Sequence, residues 1–376
     1  MLSRIKPTKS VDFLFAVLVL ALVVFGVVMV FSASSYVAIS DYGNQYYYLK
    51  RVGMWAGAGL AAMVCAIFIP YRFYFLPAPF IMILSFVLLG LLFTPLGAIR
   101  NAAARWIEIG SITIMPGEIA KVAAILFVAW YLSLNRDLIH SFFRGPVPLV
   151  AMGAAYFYMI YKQPNFSTAL IVIGLICVMI FIAGIKWRHI GLLTVLGVCA
   201  GWGLYKYIKP ENYQIERITS FMDPFADPMD SGWQAVNSLL AFGAGGVFGN
   251  GLGNSIQKAM YLPEGHNDFI LAVIGEELGF VGCLILLIAY MLLIFRGARI
   301  AINAPDRFSM LIAAGVTALF AIQVVINVAV VTSVIPNTGV ALPFVSYGGN
   351  ALLLYMFLAG IVLNISRYSK EADSEQ

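Results

Sequence analysis

Charge is what this sequence has least of. Asp, Glu, Lys and Arg make up 11% of its 376 residues, while 61% are hydrophobic. A soluble domain solvates itself with about a quarter of its residues charged, so a water-soluble globule is excluded. Nucleotide signatures are missing as well. There is no G-x-x-x-x-G-K-[ST], and the glycine cluster from Gly243 to Gly253 does not complete G-x-G-x-x-G, since Ile256 stands where the third glycine would fall. ATP-driven work by this chain alone is not expected. The sequence also lacks HExxH, GxSxG and any Cys/His set with metal-ligand spacing. Its four cysteines (Cys65, Cys177, Cys199, Cys283) all lie in apolar runs and read as small core residues, not as a disulfide framework.

What is there is hydrocarbon, in repeated blocks of roughly 18–25 residues, long enough to cross a bilayer core of about 30 Å. The pattern predicts an all-α, polytopic integral membrane protein forming one domain over 1–376. Ten transmembrane helices are expected at 12–32, 51–69, 74–94, 116–134, 147–162, 167–185, 189–207, 268–295, 308–332 and 343–365. Short tails (1–11 and 366–376) flank them, and a long loop, 208–267, separates helices 7 and 8. The first block, Val11 to Phe31, has no small-residue cleavage pattern after it and reads as a retained span.

Ten crossings put both termini on one side. That side carries Arg4, Lys6, Lys9, Arg72, Arg136, Arg144, Lys186, Arg188, Arg296, Arg299, Arg307, Arg367 and Lys370, thirteen of the 23 basic residues, against about six of the 18 acidic ones. Lys and Arg mark the cytoplasmic side. The long loop and Asp268 are then extracytoplasmic, and the net charge of +5 reflects orientation, giving no support for a nucleic-acid partner.

Four segments could carry chemistry. Tyr261-Leu-Pro-Glu264-Gly-His266-Asn-Asp268 sets three titratable groups just before a long apolar run, where a carboxylate is costly unless paired, wet or functional. Asn267 or His266 is expected to cap the helix after it, with Asp268 in its first turn. Arg105-Trp106-Ile-Glu108 leads through Pro116 to Glu118 and Lys121, which are i,i+3 and can pair across one helix face. The loop holds Arg217, then Asp223, Asp227 and Asp230, which read as turn formers beside proline, then a short helix or re-entrant segment at 234–248, then Lys258. Pro336-Asn-Thr-Gly339 through Pro343-Phe-Val-Ser346-Tyr-Gly-Gly349 reads as a broken helix lining a cavity. Gln323 and Asn327, i,i+4, read as helix–helix glue, and Glu276 and Glu277 as structural. These residues leave a transporter and a membrane-embedded transferase equally open.

The motifs together resemble the SEDS proteins (shape, elongation, division and sporulation) over nearly the whole chain. The resemblance rests on Val28-Met-Val-Phe-Ser-Ala-Ser34, Arg105-Trp-Ile, Pro116-Gly-Glu118 with Lys121, Gln163-Pro164, Leu262-Pro-Glu264 with Asp268-Phe-Ile, Ile274-Gly-Glu-Glu-Leu-Gly279, and the Pro336–Gly349 run. Gly275, where RodA-like chains tend to have alanine, looks like the division and sporulation branch, FtsW and SpoVE.

The resemblance implies a peptidoglycan glycosyltransferase that polymerises lipid II, with Asp268 as the catalytic carboxylate and general base and undecaprenyl pyrophosphate as the leaving group. Arg105, Glu118, Lys121, Arg217, Lys258, Glu264, His266 and Ser346 are then assigned to substrate binding. Arg105, Lys121, Arg217 and Lys258 are the cations for the pyrophosphate. A divalent cation, magnesium or manganese, could share that work, but no ligand set is legible. The implied partner is a class B penicillin-binding protein, the implied location the bacterial cytoplasmic membrane. Two departures stand out: Asn165 replaces a frequent aspartate, and Asn267 a frequent threonine. A lipid II flippase and a non-catalytic scaffold for the transpeptidase are the rival functions.

Overall fold

The computed structural model describes residues 10–100, 103–109, 112–195, 197, 221, 223–229, 232–259 and 261–369. Ten helices are labelled among these residues. They are α1 (Phe13–Tyr42), α2 (Tyr47–Phe68), α3 (Ala78–Leu91), α4 (Pro116–Leu134), α5 (Pro146–Tyr161), α6 (Phe166–Ile182), α7 (Trp233–Gly245), α8 (Ile270–Ile302), α9 (Arg307–Val331) and α10 (Gly349–Ser366). Six of them (α1, α2, α4, α8, α9 and α10) are long and apolar enough to cross a membrane, and α3, α5 and α6 are shorter apolar helices. Nine expected spans thus coincide with helices. The seventh, 189–207, lies largely outside the described residues, as does Arg217.

Helix ends follow local chemistry more than hydropathy. Asp12 caps α1 by accepting the Phe15 N–H at 2.9 Å, and Gly43, at φ +64°, closes it with its N–H on Ile39 C=O. The helix therefore runs ten residues past the expected end at 32. Hydropathy fades over Ser34–Tyr42, but nothing there stops a helix before the glycine. Asn165 caps α6 through the Thr168 N–H, so the amide keeps the capping role that an aspartate would have.

The all-α expectation needs a correction. Residues after α3 form a three-stranded antiparallel sheet, β1 (Gly97–Arg100), β2 (Ala103–Ile109) and β3 (Ile112–Ile114). Gly97 pairs with Ile107, and Ile107 with Ile114. Ala-Arg-Trp-Ile-Glu-Ile alternates buried Ile107 with exposed Glu108, the period-two signature that a search for apolar blocks passes over.

Helices α4, α9 and α10 form the centre: 67%, 61% and 67% of their most apolar stretches are buried, against 22% for α2 and α8. One end of the bundle is locked by polar contacts. The Asp12 N–H donates to Ser366 Oγ, Arg296 pairs with Asp12 at 2.6 Å, and Tyr71 donates to Asp306 at 2.6 Å. This gathers the start of α1, the approach to α9 and the end of α10 on one face. The starts of α4, α6 and α10 lie at the other.

Helix α8 is broken at Gly279 (φ +68°, ψ −168°). The freed backbone groups are met by the glycine loop after α7. Asn250 and Gly251 donate to the carbonyls of Glu276 and Glu277, and Phe280 and Val281 donate to those of Gly246 and Val247. Such contact leaves no room for side chains, and a Cβ on Gly279 would sit 2.3 Å from the Gly249 nitrogen. The glycines that failed as a nucleotide motif are therefore a backbone-to-backbone joint. Gly279→Ala should lower stability by about 1–3 kcal/mol from backbone strain alone, read as a lower thermal midpoint of the purified protein.

Candidate active site

At the end of the bundle away from the Asp12–Ser366 lock, Asp268 lies half-buried just before α8. The helix begins at Ile270 with Phe269 in the capping position and no side-chain cap, which corrects the expectation that Asn267 or His266 caps it. Asn267 instead donates to Glu264 Oε2 at 3.3 Å. Glu264 adopts a left-handed backbone (φ +58°), and its carbonyl accepts the N–H of Asn267 and of Phe269, a tight turn that presents Asp268. The Asp268 carbonyl accepts from Asn327 Nδ2 at 2.8 Å, and the same amide donates to Val340 C=O at 2.7 Å.

The uncharged 335–349 segment is the hub of this end. Asn337 donates to Gln234 on α7, and the Thr338 carbonyl accepts from Ser167 at the start of α6. Tyr347 N–H donates to His266 C=O at 3.0 Å, and Asn350 donates to Thr113 C=O on β3 at 2.6 Å. Asp268 Oδ2 comes within 3.1 Å of where a Cβ on Gly339 would stand, and Gly339 has φ +65°. Gly339→Ala should therefore both strain the loop and push on the carboxylate. A loss of activity of about tenfold or more, with the protein still folded, is the expected outcome.

The other expected site residues divide. Arg105, half-buried on β2, donates to Pro164 C=O. Glu118 and Lys121 pair at 2.7 Å with 7% and 2% exposure, and Tyr355 joins them, accepting from Lys121 and donating to Glu118, both at 3.0 Å. Gln323 donates to Tyr355 at 2.7 Å. The pair is real, but it is sunk in the bundle. Ser346 is buried, and its hydroxyl accepts the Leu342 N–H at 2.8 Å, so it closes a turn instead of facing a ligand.

Lys258 requires the largest correction. It is 2% exposed, and its ammonium pairs with Glu277 at 2.8 Å and donates to Ser32 at 3.2 Å. A charge neutralised inside protein is not available to a leaving pyrophosphate. Glu276 accepts from Ser255, from the Ile256 N–H at 2.8 Å and from the Gln257 N–H at 3.2 Å, so both buried glutamates are structural, as expected. Asp223 and Asp227 offer backbone carbonyls to turns (Ala226 and Gly232 N–H), which supports the turn reading, while Asp230 lies outside the described residues.

One feature escaped the sequence reading. Tyr48, His266 and Tyr347 form an aromatic wall, with ring centroids 4.7 Å (Tyr48–His266) and 5.1 Å (Tyr48–Tyr347) apart. Arg51, exposed, hydrogen-bonds Tyr347 and lies over the Tyr47 ring at 5.0 Å. The run Tyr46-Tyr-Tyr48 was the available signal, but its partners lie about 220 and 300 residues away. Burial pushes the His266 pKa below its ordinary value, against the pull of Glu264 and Asp41. Among the described residues no cluster of three or more His, Cys, Asp or Glu is placed to hold a metal ion.

Comparison with known proteins gives a consistent picture. Residues 12–371 match the family model FTSW_RODA_SPOVE, described as cell cycle protein. The chain is 41% identical over 362 residues to stage V sporulation protein E of Bacillus subtilis, covering 96% of this chain and 98% of that one. It is 38% identical over 368 residues to a probable peptidoglycan glycosyltransferase FtsW of Geobacter metallireducens, covering 98% and 97%. Both names agree with the branch read from Gly275. In three dimensions it is similar to a chain of a peptidoglycan synthase complex that couples polymerization and crosslinking (TM-score 0.78, 28% identity, 95% and 98% covered). It is likewise similar to the rod shape determining protein RodA of Thermus thermophilus (TM-score 0.70, 27% identity, 96% and 98% covered).

Proposed function

This chain belongs to the family of cell cycle proteins that unites FtsW, RodA and SpoVE, and we propose that it is a peptidoglycan glycosyltransferase that polymerises lipid II at the outer face of the cytoplasmic membrane. Asp268 is the general base. Its carboxylate takes the proton of the C4 hydroxyl on the acceptor's N-acetylglucosamine. The oxygen forms a bond to the anomeric carbon of the donor's N-acetylmuramic acid while the bond to the pyrophosphate breaks. Undecaprenyl pyrophosphate leaves with the electron pair, and a one-step displacement inverts the α-linked donor to a β-1,4 link.

The observation that carries this reading is the placement of Asp268. It is a half-buried carboxylate where the 261–269 turn, the 335–349 segment and α9 converge, backed by a glycine that leaves space beside it. Arg105, half-buried on β2, and exposed Arg51 are the cations assigned to the pyrophosphate, while Lys121 and Lys258 are buried in pairs with Glu118 and Glu277. The basic, terminus-bearing face is cytoplasmic by the Lys/Arg bias, which makes the Asp268 face extracytoplasmic. A class B penicillin-binding protein is the proposed partner, supported by the similarity to a complex that both polymerises and crosslinks.

The test is polymerisation of lipid II by purified protein in membranes, with and without that partner. Glycan strands longer than a disaccharide unit are the expected product. Lipid II translocation in liposomes without polymer would favour a flippase, and neither activity under both conditions would leave the scaffold reading.

A further inference from the structure

Asn327 lies on α9, one of the three most buried long helices, and is itself 0% exposed. Its Nδ2 spends both donors on main-chain carbonyls of two separate, non-helical segments: Asp268 at 2.8 Å and Val340 at 2.7 Å. Val340 follows Gly339, the residue that faces the Asp268 carboxylate. One amide therefore fixes the residue that bears the carboxylate and also the wall that carboxylate faces. Packing does not explain an amide here. The Oδ1 of Asn327 is buried and has no hydrogen-bond partner among the described residues, an arrangement that leucine of similar size would relieve.

We infer that Asn327 is a positioning residue for the transfer reaction, acting through Asp268 by setting the distance between that carboxylate and the 337–340 loop. The inference rests on the reading of Asp268 as the base. A site built on loops needs a rigid neighbour to hold its reacting atoms, and α9 supplies it. Displacement of a reacting group by about 1 Å can cost on the order of a hundredfold in rate while leaving substrate binding alone. The expected signature is a loss in kcat, not KM.

The experiment compares Asn327→Asp, which keeps shape and turns the double donor into an acceptor, with Asn327→Leu and Asn327→Gln, in full-length protein assayed on lipid II. A fall in kcat of about 10–100-fold in Asp and Leu variants, KM within about threefold, an unchanged elution profile, and partial recovery with Gln support the inference. It is overturned if a folded Asp or Leu variant turns over within twofold of wild type, if the loss appears in KM alone, or if neither variant folds. Asp268→Asn in the same assay separates the two claims. Wild-type turnover by that variant removes the base assignment itself, whereas an inactive Asp268→Asn beside an active Asn327→Asp removes only the role given to Asn327.

Discussion

Asp268→Asn should reduce polymerisation of lipid II by about 10²–10⁴-fold, the range that a positioned general base supplies. The amide matches the carboxylate in size and should leave the fold intact, because the 261–269 turn is held through backbone groups of Glu264, through Asn267 and through the Asp268 carbonyl. The loss should therefore fall on kcat. The measurement is initial rate of glycan synthesis against substrate concentration, with the thermal midpoint of each protein as a control for folding. Turnover at the wild-type rate would refute the assignment and return the functional question to flippase and scaffold.

The largest effect on stability should come from Lys258→Met. Glu277 would be left with a 0% exposed carboxylate that keeps the Ser32 hydroxyl, donating at 2.7 Å, but no cation among the described residues. Breaking a buried pair by removing one partner typically costs about 3–5 kcal/mol, because the surviving charge is stranded. Adding Glu277→Gln should restore most of the loss, since the neutral amide can still hydrogen-bond Ser32. The check is the thermal midpoint of single and double variants in one detergent. A wild-type midpoint for Lys258→Met would mean that the ammonium stands in solvent, and would return Lys258 to the cations available for the pyrophosphate. Activity should fall with stability, because Lys258 anchors the strand of chain that leads into the Asp268 turn.

Much of the scaffold was legible because desolvation is a local demand. A bilayer requires each crossing segment to satisfy its own backbone, so apolar length reports helices one at a time. This worked for nine spans and for the helix within the long loop, Trp233–Gly245. It failed at the sheet, whose alternating seven-residue strand has too short an apolar signal, and at the end of α1, where a glycine and not hydropathy sets the boundary. Glu118 with Lys121 was legible as i,i+3 neighbours on one helix; their depth and their union with Tyr355 were not.

By itself the sequence determined that the chain is a bundle of apolar helices, which face is basic, and that it belongs to the FtsW, RodA and SpoVE family over residues 12–371. These follow from composition and from order along the chain. Only tertiary structure decided that Lys258 meets Glu277 and Ser32, that Ser346 turns inward, and that Asn327 holds Asp268 from 59 residues away. Such pairings are contacts between distant segments, and a side chain's type states what it can bond without stating which partner the packed helices bring to it.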